Sequence, residues 1–477
     1  MKKRLFSAIA LITVLVFALV FFASCADTPE YTPSPPPNEL TGDALVMDLL
    51  DKSDDKMEAL TSYKTDYRLE LKFETVSGTV EITSDTEEWL AGIDTKSFQK
   101  LSVTTTDGMI DGEDTGETVT TEAYYKGYFY IAEEDLETGD KKVLRSPVAR
   151  SEYEEYLEGE EDGFDFDDDL FLAANKKLAE KQEDGSWHIE LSGYSNAAVL
   201  RFAKLFSSFG TFLQRGVLFS DVKFECALNS DFSVKSASFE FEFSSSDASV
   251  PVPEFFVAVT FSDYNAIDSV NFDLSDSEAT EVLGLLDVLK VNSALSKTTE
   301  KEKLSFEADL TTDTAGTVNS QRLEFLKEDV YGGGLSYTYT YTQNTATRVI
   351  SYAGGKAYID NTETGIPTDD VSERMSLISI YDLGAGFDIY SVTFVDTSII
   401  DGSTVYIVTV DPNYDVTLQS IADSLSCSFR NEYVVFEFTV KNGCVTKLGY
   451  ESSADIYYRG STYPFESVLS IEYNTNI

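Results

Sequence analysis

The sequence predicts an α+β fold made twice over, two tandem antiparallel sheets with helices covering each. Three observations point to it. Segments rich in Tyr, Phe, Val and Thr alternate apolar and polar residues with period two, as in Phe239-Glu240-Phe241-Glu242-Phe243 and Tyr433 to Val440. That pattern fits strands with one dry and one wet face. Amphipathic helical segments interrupt the strands. Finally, landmarks of the first half recur in order in the second, the mark of an internal repeat.

The first copy opens with a helix, Asp43 to Leu60, apolar at Leu45, Val46, Leu49, Leu50, Met57 and Leu60; a strand follows with Tyr67, Leu69, Leu71 and Phe73 on one side. The second opens with Ser277 to Leu295, apolar at Val282, Leu285, Leu286, Leu289 and Leu295, followed by Leu304, Phe306, Ala308 and Leu310. Ala59-Leu60 aligns with Ala294-Leu295. Further along, Gly127-Tyr128-Phe129-Tyr130-Ile131 matches Gly355-Lys356-Ala357-Tyr358-Ile359, and Asp184-Gly185-Ser186 matches Asp401-Gly402-Ser403. Phe224-Glu225 then matches Phe436-Glu437, and Tyr264-Asn265 matches Tyr473-Asn474. A mid-unit helix is expected over Ala197 to Leu213 in copy one and Val416 to Leu425 in copy two.

Ahead of the repeats, Lys2, Lys3 and Arg4 precede an uncharged run from Leu5 to Ala23 that ends in Phe22-Ala23-Ser24-Cys25. A charged head and an apolar body make a secretion signal, and the positive head stays on the cytoplasmic side. Small residues before a cysteine resemble the lipobox of bacterial lipoproteins, with Phe22 standing where that family usually has Leu. The resemblance implies cleavage before Cys25 and acylation (palmitate or a similar chain) of its thiol. An uncleaved transmembrane helix from Leu5 to Ala23 is the alternative, since the run approaches the length of a bilayer span. Ala26 to Thr41, with Pro29, Pro33, Pro35, Pro36 and Pro37, reads as an extended tether. The expected organisation is therefore a signal peptide over 1–24, acylated Cys25 and tether over 25–41, and copies over 42–275 and 276–477.

Composition narrows the partners. The formal net charge is −47, from 36 basic and 83 acidic residues. Nucleic acid and anionic headgroups are bound through Lys/Arg patches, so neither is an expected partner. Hydrophobic residues at 42% exclude a disordered chain. Beyond Cys25, the cysteines Cys226, Cys427 and Cys444 are odd in number, which favours buried free thiols over a disulfide framework. A Cys427–Cys444 bridge would need the chain to fold back differently from a hairpin at Lys441-Asn442-Gly443.

A lipobox, a tether, a helix ending in Met57-Glu58-Ala59-Leu60-Thr61-Ser62-Tyr63 and a long antiparallel sheet together resemble the LolA/LppX-like lipoprotein superfamily. The resemblance implies open half-barrels that curl around helices, with acyl chains bound in the concavity in several members. A shared fold does not carry function by itself.

Motifs for chemistry are scarce. His188, the one histidine, has no second His or Cys at ligand spacing, and its counterpart Val405 marks the position as structural. Gly332-Gly333-Gly334 lacks the Lys and helix of a phosphate loop. The acidic run Glu158 to Asp169 does not match a calcium loop and reads as a solvated loop dipping Phe164, Phe166 and Leu170 inward. Tyr337, Tyr339 and Tyr341 share one sheet face, as an aromatic ladder or a binding face. No residue recommends an enzyme, a cofactor or a metal. The expected function is a non-enzymatic binding protein for an apolar or lipid ligand, anchored by Cys25 on the extracytoplasmic face of a bacterial cell membrane. Phe202, Leu205, Phe206 and Phe209 of the mid-unit helix are the candidate ligand-binding residues. The alternative is a structural or interaction module that engages another envelope protein.

Overall fold

The computed structural model describes residues 42–474 except 76–77, 94, 111–112, 162–173, 195–216, 246–251, 275–278, 300–302, 331–333, 344–345, 354–355, 361, 364–388 and 412–427. The first compact unit ends at Ala279 and the second runs Thr280–Ile477.

The first unit contains helix α1 (Asp43–Glu58), then β1 (Ser62–Thr75), β2 (Gly78–Ala91), β3 (Gln99–Ile110), β4 (Glu113–Tyr125), β5 (Tyr128–Asp135) and β6 (Lys141–Pro147). Helix α2 (Arg150–Glu161) precedes β7 (Ala174–Lys181), β8 (Trp187–Tyr194), β9 (Val217–Leu228), β10 (Val234–Ser245) and β11 (Glu254–Ser262). These strands lie in the order β6-β5-β4-β3-β2-β1-β11-β10-β9-β8-β7. The first and last strands are thus neighbours in mid-sheet, paired antiparallel from Lys64↔Ser262 to Lys72↔Glu254.

The second unit holds α3 (Leu285–Thr299), then β12 (Lys303–Thr314), β13 (Thr317–Val330), β14 (Gly334–Gln343), β15 (Ala346–Ala353), β16 (Lys356–Ile359) and β17 (Thr362–Glu363). After a 3₁₀ turn at Ile389–Ser391 come β18 (Val392–Ile400), β19 (Ser403–Val410), β20 (Ser428–Lys441), β21 (Cys444–Tyr458) and β22 (Ser461–Asn474). This sheet is 11-stranded, in the order β17-β16-β15-β14-β13-β12-β22-β21-β20-β19-β18. Adding eleven to each strand label of the first order reproduces the second.

Local chemistry sets the turns. Asn442 and Gly443 both have positive φ, 52° and 71°, the two-residue turn whose twist suits a hairpin. Lys441 consequently pairs with Cys444. Cys226 and Cys444 are both buried, and neither forms a disulfide.

The α+β, helix-covered half-barrel expectation is overturned. The described chain is mostly strand, in two large open sheets, with three helices among the described residues. Long strands supply much of their own cover, because facing aromatic side chains pack across neighbouring strands: Phe224 on Phe239 at 4.9 Å and Phe241 on Phe255 at 5.0 Å between centroids. Helix α1 buries Val46 and Leu49 and is tied to β7 by Lys177–Asp43 at 3.2 Å. The helix expected from Ser277 starts only at Leu285. The reason is Gly284, whose φ is +78° and where a Cβ would stand 2.9 Å from Val395 Cβ; the backbone turns there against β18. Val282, Leu285, Leu286, Val288, Val291 and Leu295 are all buried. The end of α3 is fastened by Thr298, whose hydroxyl donates to the Ala294 carbonyl at 2.7 Å and accepts the Val445 N–H at 2.8 Å. Both expected mid-unit helices, at 197–213 and 416–425, lie outside the described residues, as does Cys427.

Helix α2 is the element that sequence reasoning missed. Its Tyr153 is fully buried and stacks on Tyr124 of β4 at 4.6 Å, with Phe98 and Phe129 alongside. The acidic run expected as a loop begins within this helix, at Glu158 to Glu161, and from residue 162 on lies outside the described residues.

Candidate functional site

In the first unit, take as inner the sheet face that carries Tyr67, Leu69 and Leu71 of β1. The outer side of the same strand carries Lys64, Asp66, Arg68, Glu70 and Lys72, in ion pairs such as Lys64–Glu87 at 2.6 Å and Arg68–Asp85 at 3.3 Å. The inner side is continued by Phe255, Val257 and Val259 of β11, Phe239 and Phe241 of β10, Val222, Phe224 and Cys226 of β9, and Ile189 and Leu191 of β8. Nearly all are buried. From β8 to β1 the inner face is an apolar band.

Beyond β1 polar groups enter the same face, on β2 between buried Val80 and Ile82 on one side and Leu90 on the other. The inner face of β2 offers Ser84, Thr86 and Glu88, and that of β3 offers Lys100, Ser102, Thr104 and Thr106, all buried. Thr118, Thr120 and Glu122 follow on β4. Some of these groups satisfy one another: Thr86 and Thr104 hydroxyls lie 2.8 Å apart, and those of Ser84 and Thr106 3.3 Å apart. One cross-strand row runs Thr65, Glu88, Ser102, Glu122. Lys100 Nζ lies 3.2 Å from Glu88 Oε2 and 4.0 Å from Glu122, with Lys100 3% and Glu88 0% exposed. Burial holds the Glu88 carboxyl above the ordinary carboxylate range, against the pull of Lys100. Tyr153 donates its hydroxyl to Glu122 at 3.3 Å. Burial, followed by the charge of Glu122, pushes the Tyr153 phenol well up; burial and Glu88 do the same to Tyr67.

The outer face of these strands is wet at Asp85 and Glu87, as alternation predicts, but dry at one end. Ala91, Leu101, Ala123 and Tyr130 form a buried cluster there with Val270, flanked by Trp89, Tyr125, Ile267 and Phe272. The segment after β11 seals it and is pinned by backbone N–H groups: Ile267 to Ser62 Oγ and Val270 to Gln99 Oε1, each at 3.0 Å. Asn265 accepts the Thr61 N–H at 2.7 Å. Between this segment and the sheet is a cleft of about 630 Å³ lined by Trp89, Leu101, Ile267 and Val270 together with Asp263, Asp268 and Asn271.

The sequence-derived candidates fall as follows. Cys25 and the mid-unit residues Phe202, Leu205, Phe206 and Phe209 lie outside the described residues. His188 sits on the outer side of β8, partly exposed, 3.9 Å from Glu225. Register places Tyr337, Tyr339 and Tyr341 opposite Lys327, Phe325 and Leu323. The polar block on β2 to β4 was missed, although the run Ser102-Val103-Thr104-Thr105-Thr106 is written in hydroxyls. Alternation alone does not say which phase of such a strand faces inward. Among the described residues no cluster of three His, Cys, Asp or Glu could hold a metal, and no helix is long and apolar enough to cross a membrane.

No family model and no curated protein matches the sequence. Among solved structures, the chain is similar to the Mycobacterium tuberculosis lipoprotein LppX, at 14% identity and TM-score 0.27, over 49% of this chain and 100% of that one. It is also similar to MucB, at 12% identity and TM-score 0.19, over 40% of this chain and 59% of that one. A third is the Neisseria meningitidis transferrin binding protein B, at 8% identity and TM-score 0.13. Likenesses at these TM-scores carry no argument about fold or function.

Proposed function

We propose that this chain is a lipoprotein of the bacterial envelope, anchored through Cys25, that binds an apolar or amphipathic ligand without transforming it. The observation that carries the proposal is the inner face of the first sheet, where a five-strand apolar band adjoins a buried block of hydroxyl and charged groups. A core filled by its own side chains gains nothing from burying that many polar groups, whereas a ligand with a tail and a head matches both halves. The lipobox-like end at Phe22-Ala23-Ser24-Cys25 and the Pro-rich tether support the location. The shared strand order and the recurring landmarks support descent of both units from one duplicated unit.

Mass spectrometry under non-denaturing conditions, on protein purified gently from membranes, tests the reading. A bound species of lipid mass that disappears on organic extraction is the expected result. A bare polypeptide mass, with no uptake of added acyl probes, would refute it. Phe206→Trp tests the mid-unit helix on the same sample: reduced uptake with little change in stability would place Phe206 in the site, and a cost of about 1–3 kcal/mol without loss of uptake would make it core.

One observation favours the second reading, an interaction module. Strand β18 is the edge of its sheet and exposes Phe394, Ile399 and Ile400 at 48%, 80% and 55%. The edge strand of the same rank in the first unit, β7, is guarded by Lys176, Lys177 and Lys181, as edges usually are. An unguarded edge suits strand addition by another envelope protein.

A further inference from the structure

We infer that the row Glu88, Ser102 and Glu122, with Lys100 beside it, is the subsite for the ligand's head, and that it selects a neutral polyhydroxyl head over an anionic one. The inference rests on the binding reading above and names the class of ligand.

The polar groups are too costly to be incidental. Ser102 is 1% exposed and Glu88 0%. Ser102 Oγ and Glu88 Oε1 are buried without a hydrogen-bond partner in the protein. Leaving such groups unsatisfied costs more than replacing them with apolar ones. Register puts both in one row, on adjacent strands, facing the same way. Strands lie about 4.8 Å apart, so Glu88 and Ser102 are close enough for one glycerol or sugar head to reach both.

Charge decides the class. Lys100, the cation beside the row, already lies against both Glu88 and Glu122. Two carboxylates against one ammonium leave the group net acidic, in a chain whose formal charge is −47. A phosphate or carboxylate head would enter against that charge and find no spare cation in the row among the described residues. A hydroxyl head donates to a glutamate oxygen and exchanges hydrogen bonds with Ser102 and with the hydroxyls of Thr104, Thr120 and Thr86 in the next row. Those threonines both donate and accept, which suits a ligand whose groups do the same. Position fits as well, because the row begins at Thr65 on β1, the strand where the apolar band ends. A tail lying along β1, β11 and β10 delivers its head onto β2 and β3.

Three probes with the same oleoyl chain separate head from tail: 1-oleoylglycerol, oleate and methyl oleate. Affinities for the full-length protein are compared at about pH 8, where oleate is anionic. We expect 1-oleoylglycerol to bind roughly tenfold more tightly than methyl oleate, and oleate most weakly of the three. Ser102→Ala should cut the glycerol advantage by about two- to tenfold, the range of one hydrogen bond, and leave methyl oleate unchanged. The double variant Glu88→Leu/Lys100→Met, which removes the charges as a pair, should abolish it. Binding of all three probes with equal affinity would overturn this inference while leaving the binding reading intact. So would an advantage that survives Ser102→Ala. Failure of every probe to bind would refute the binding reading itself. Should the double variant not fold, Ser102→Ala decides alone, because deleting an unsatisfied buried hydroxyl does not threaten the fold.

Discussion

Removing one member of the Glu88–Lys100 pair should damage the first unit far more than removing both. At 3.2 Å, and with an effective dielectric constant of about 20, the attraction amounts to about 5 kcal/mol. Against it stands the desolvation of two ions, several kcal/mol each. The pair is therefore near break-even, but each partner alone is a buried uncompensated charge. Lys100→Met should cost about 3–5 kcal/mol, and Glu88→Leu/Lys100→Met should lie within about 1 kcal/mol of the parent or above it. The assay is urea unfolding followed by tryptophan fluorescence. Both tryptophans, Trp89 and Trp187, belong to the first unit, so the signal reports that unit alone. With a slope of about 2 kcal/mol per molar urea, the single variant should unfold at a midpoint lower by roughly 2 M. Acid adds a second test. The Glu88 carboxyl is held above its ordinary range, so the native state binds its proton more readily than the unfolded chain does. Its unfavourable share therefore grows as pH rises through the window above the ordinary carboxylate value and fades below it. In Lys100→Met the lone Glu88 can take up a proton, so the penalty should shrink as pH falls from 7 towards about 4. A single variant as stable as the double at neutral pH, or a penalty that does not change with pH, would refute this account of the row.

Two further outcomes follow from contacts described above or bordering them. Thr298→Val removes the hydroxyl that accepts the buried Val445 N–H and should destabilise the second unit by about 1–3 kcal/mol; circular dichroism should show the loss while tryptophan fluorescence stays unchanged. Asp231, below α1, accepts the Ser233 hydroxyl at 2.8 Å, which with Lys56 holds its carboxyl below the ordinary range. That contribution is present above the unfolded carboxylate value and is lost as pH falls through the depressed one. The stability gap between the parent and Ser233→Ala should thus be widest at neutral pH and narrow below about pH 4; a gap of constant size would exclude the linkage.

The legible part of this molecule was its alternation. Tyr67, Leu69 and Leu71 read as one face of a strand and are one face of β1, and the clean run from Tyr433 to Val440 lies within β20. Helix content was overstated for a physical reason: the apolar spacing from Val282 to Leu295 continues through Gly284, and only the close approach of Val395 shows that the chain must turn there. Helix α2 was invisible because Arg150–Glu161 is mostly charged and is held by two tyrosines, Tyr153 and Tyr156, rather than by a stripe. The polar row was missed for a different reason. In Trp89-Leu90-Ala91 and Lys100-Leu101-Ser102, residues on both faces are buried, so period two does not say which phase points inward. Glu88 and Lys100 look like surface charges until the register sets them side by side.

The placement of β1 beside β11 also determines when the first unit can become whole. Lys64 must find Ser262, almost the full length of the unit away, and the segment that seals Leu101, Ala123 and Tyr130 comes later still. Until that stretch arrives, β2 to β5 hold apolar side chains towards water on the very face that ends up dry. Contacts so distant along the chain are slow to form, and partly formed sheets with bare faces are prone to stick together. For a chain made from its N-terminus, the hazardous interval lasts from the emergence of β5 to that of Phe272. The second unit repeats the arrangement, with Phe306 waiting for Tyr473. A chain stopped a few residues short of either junction would lose more than an end: it would leave a sheet parted down its middle.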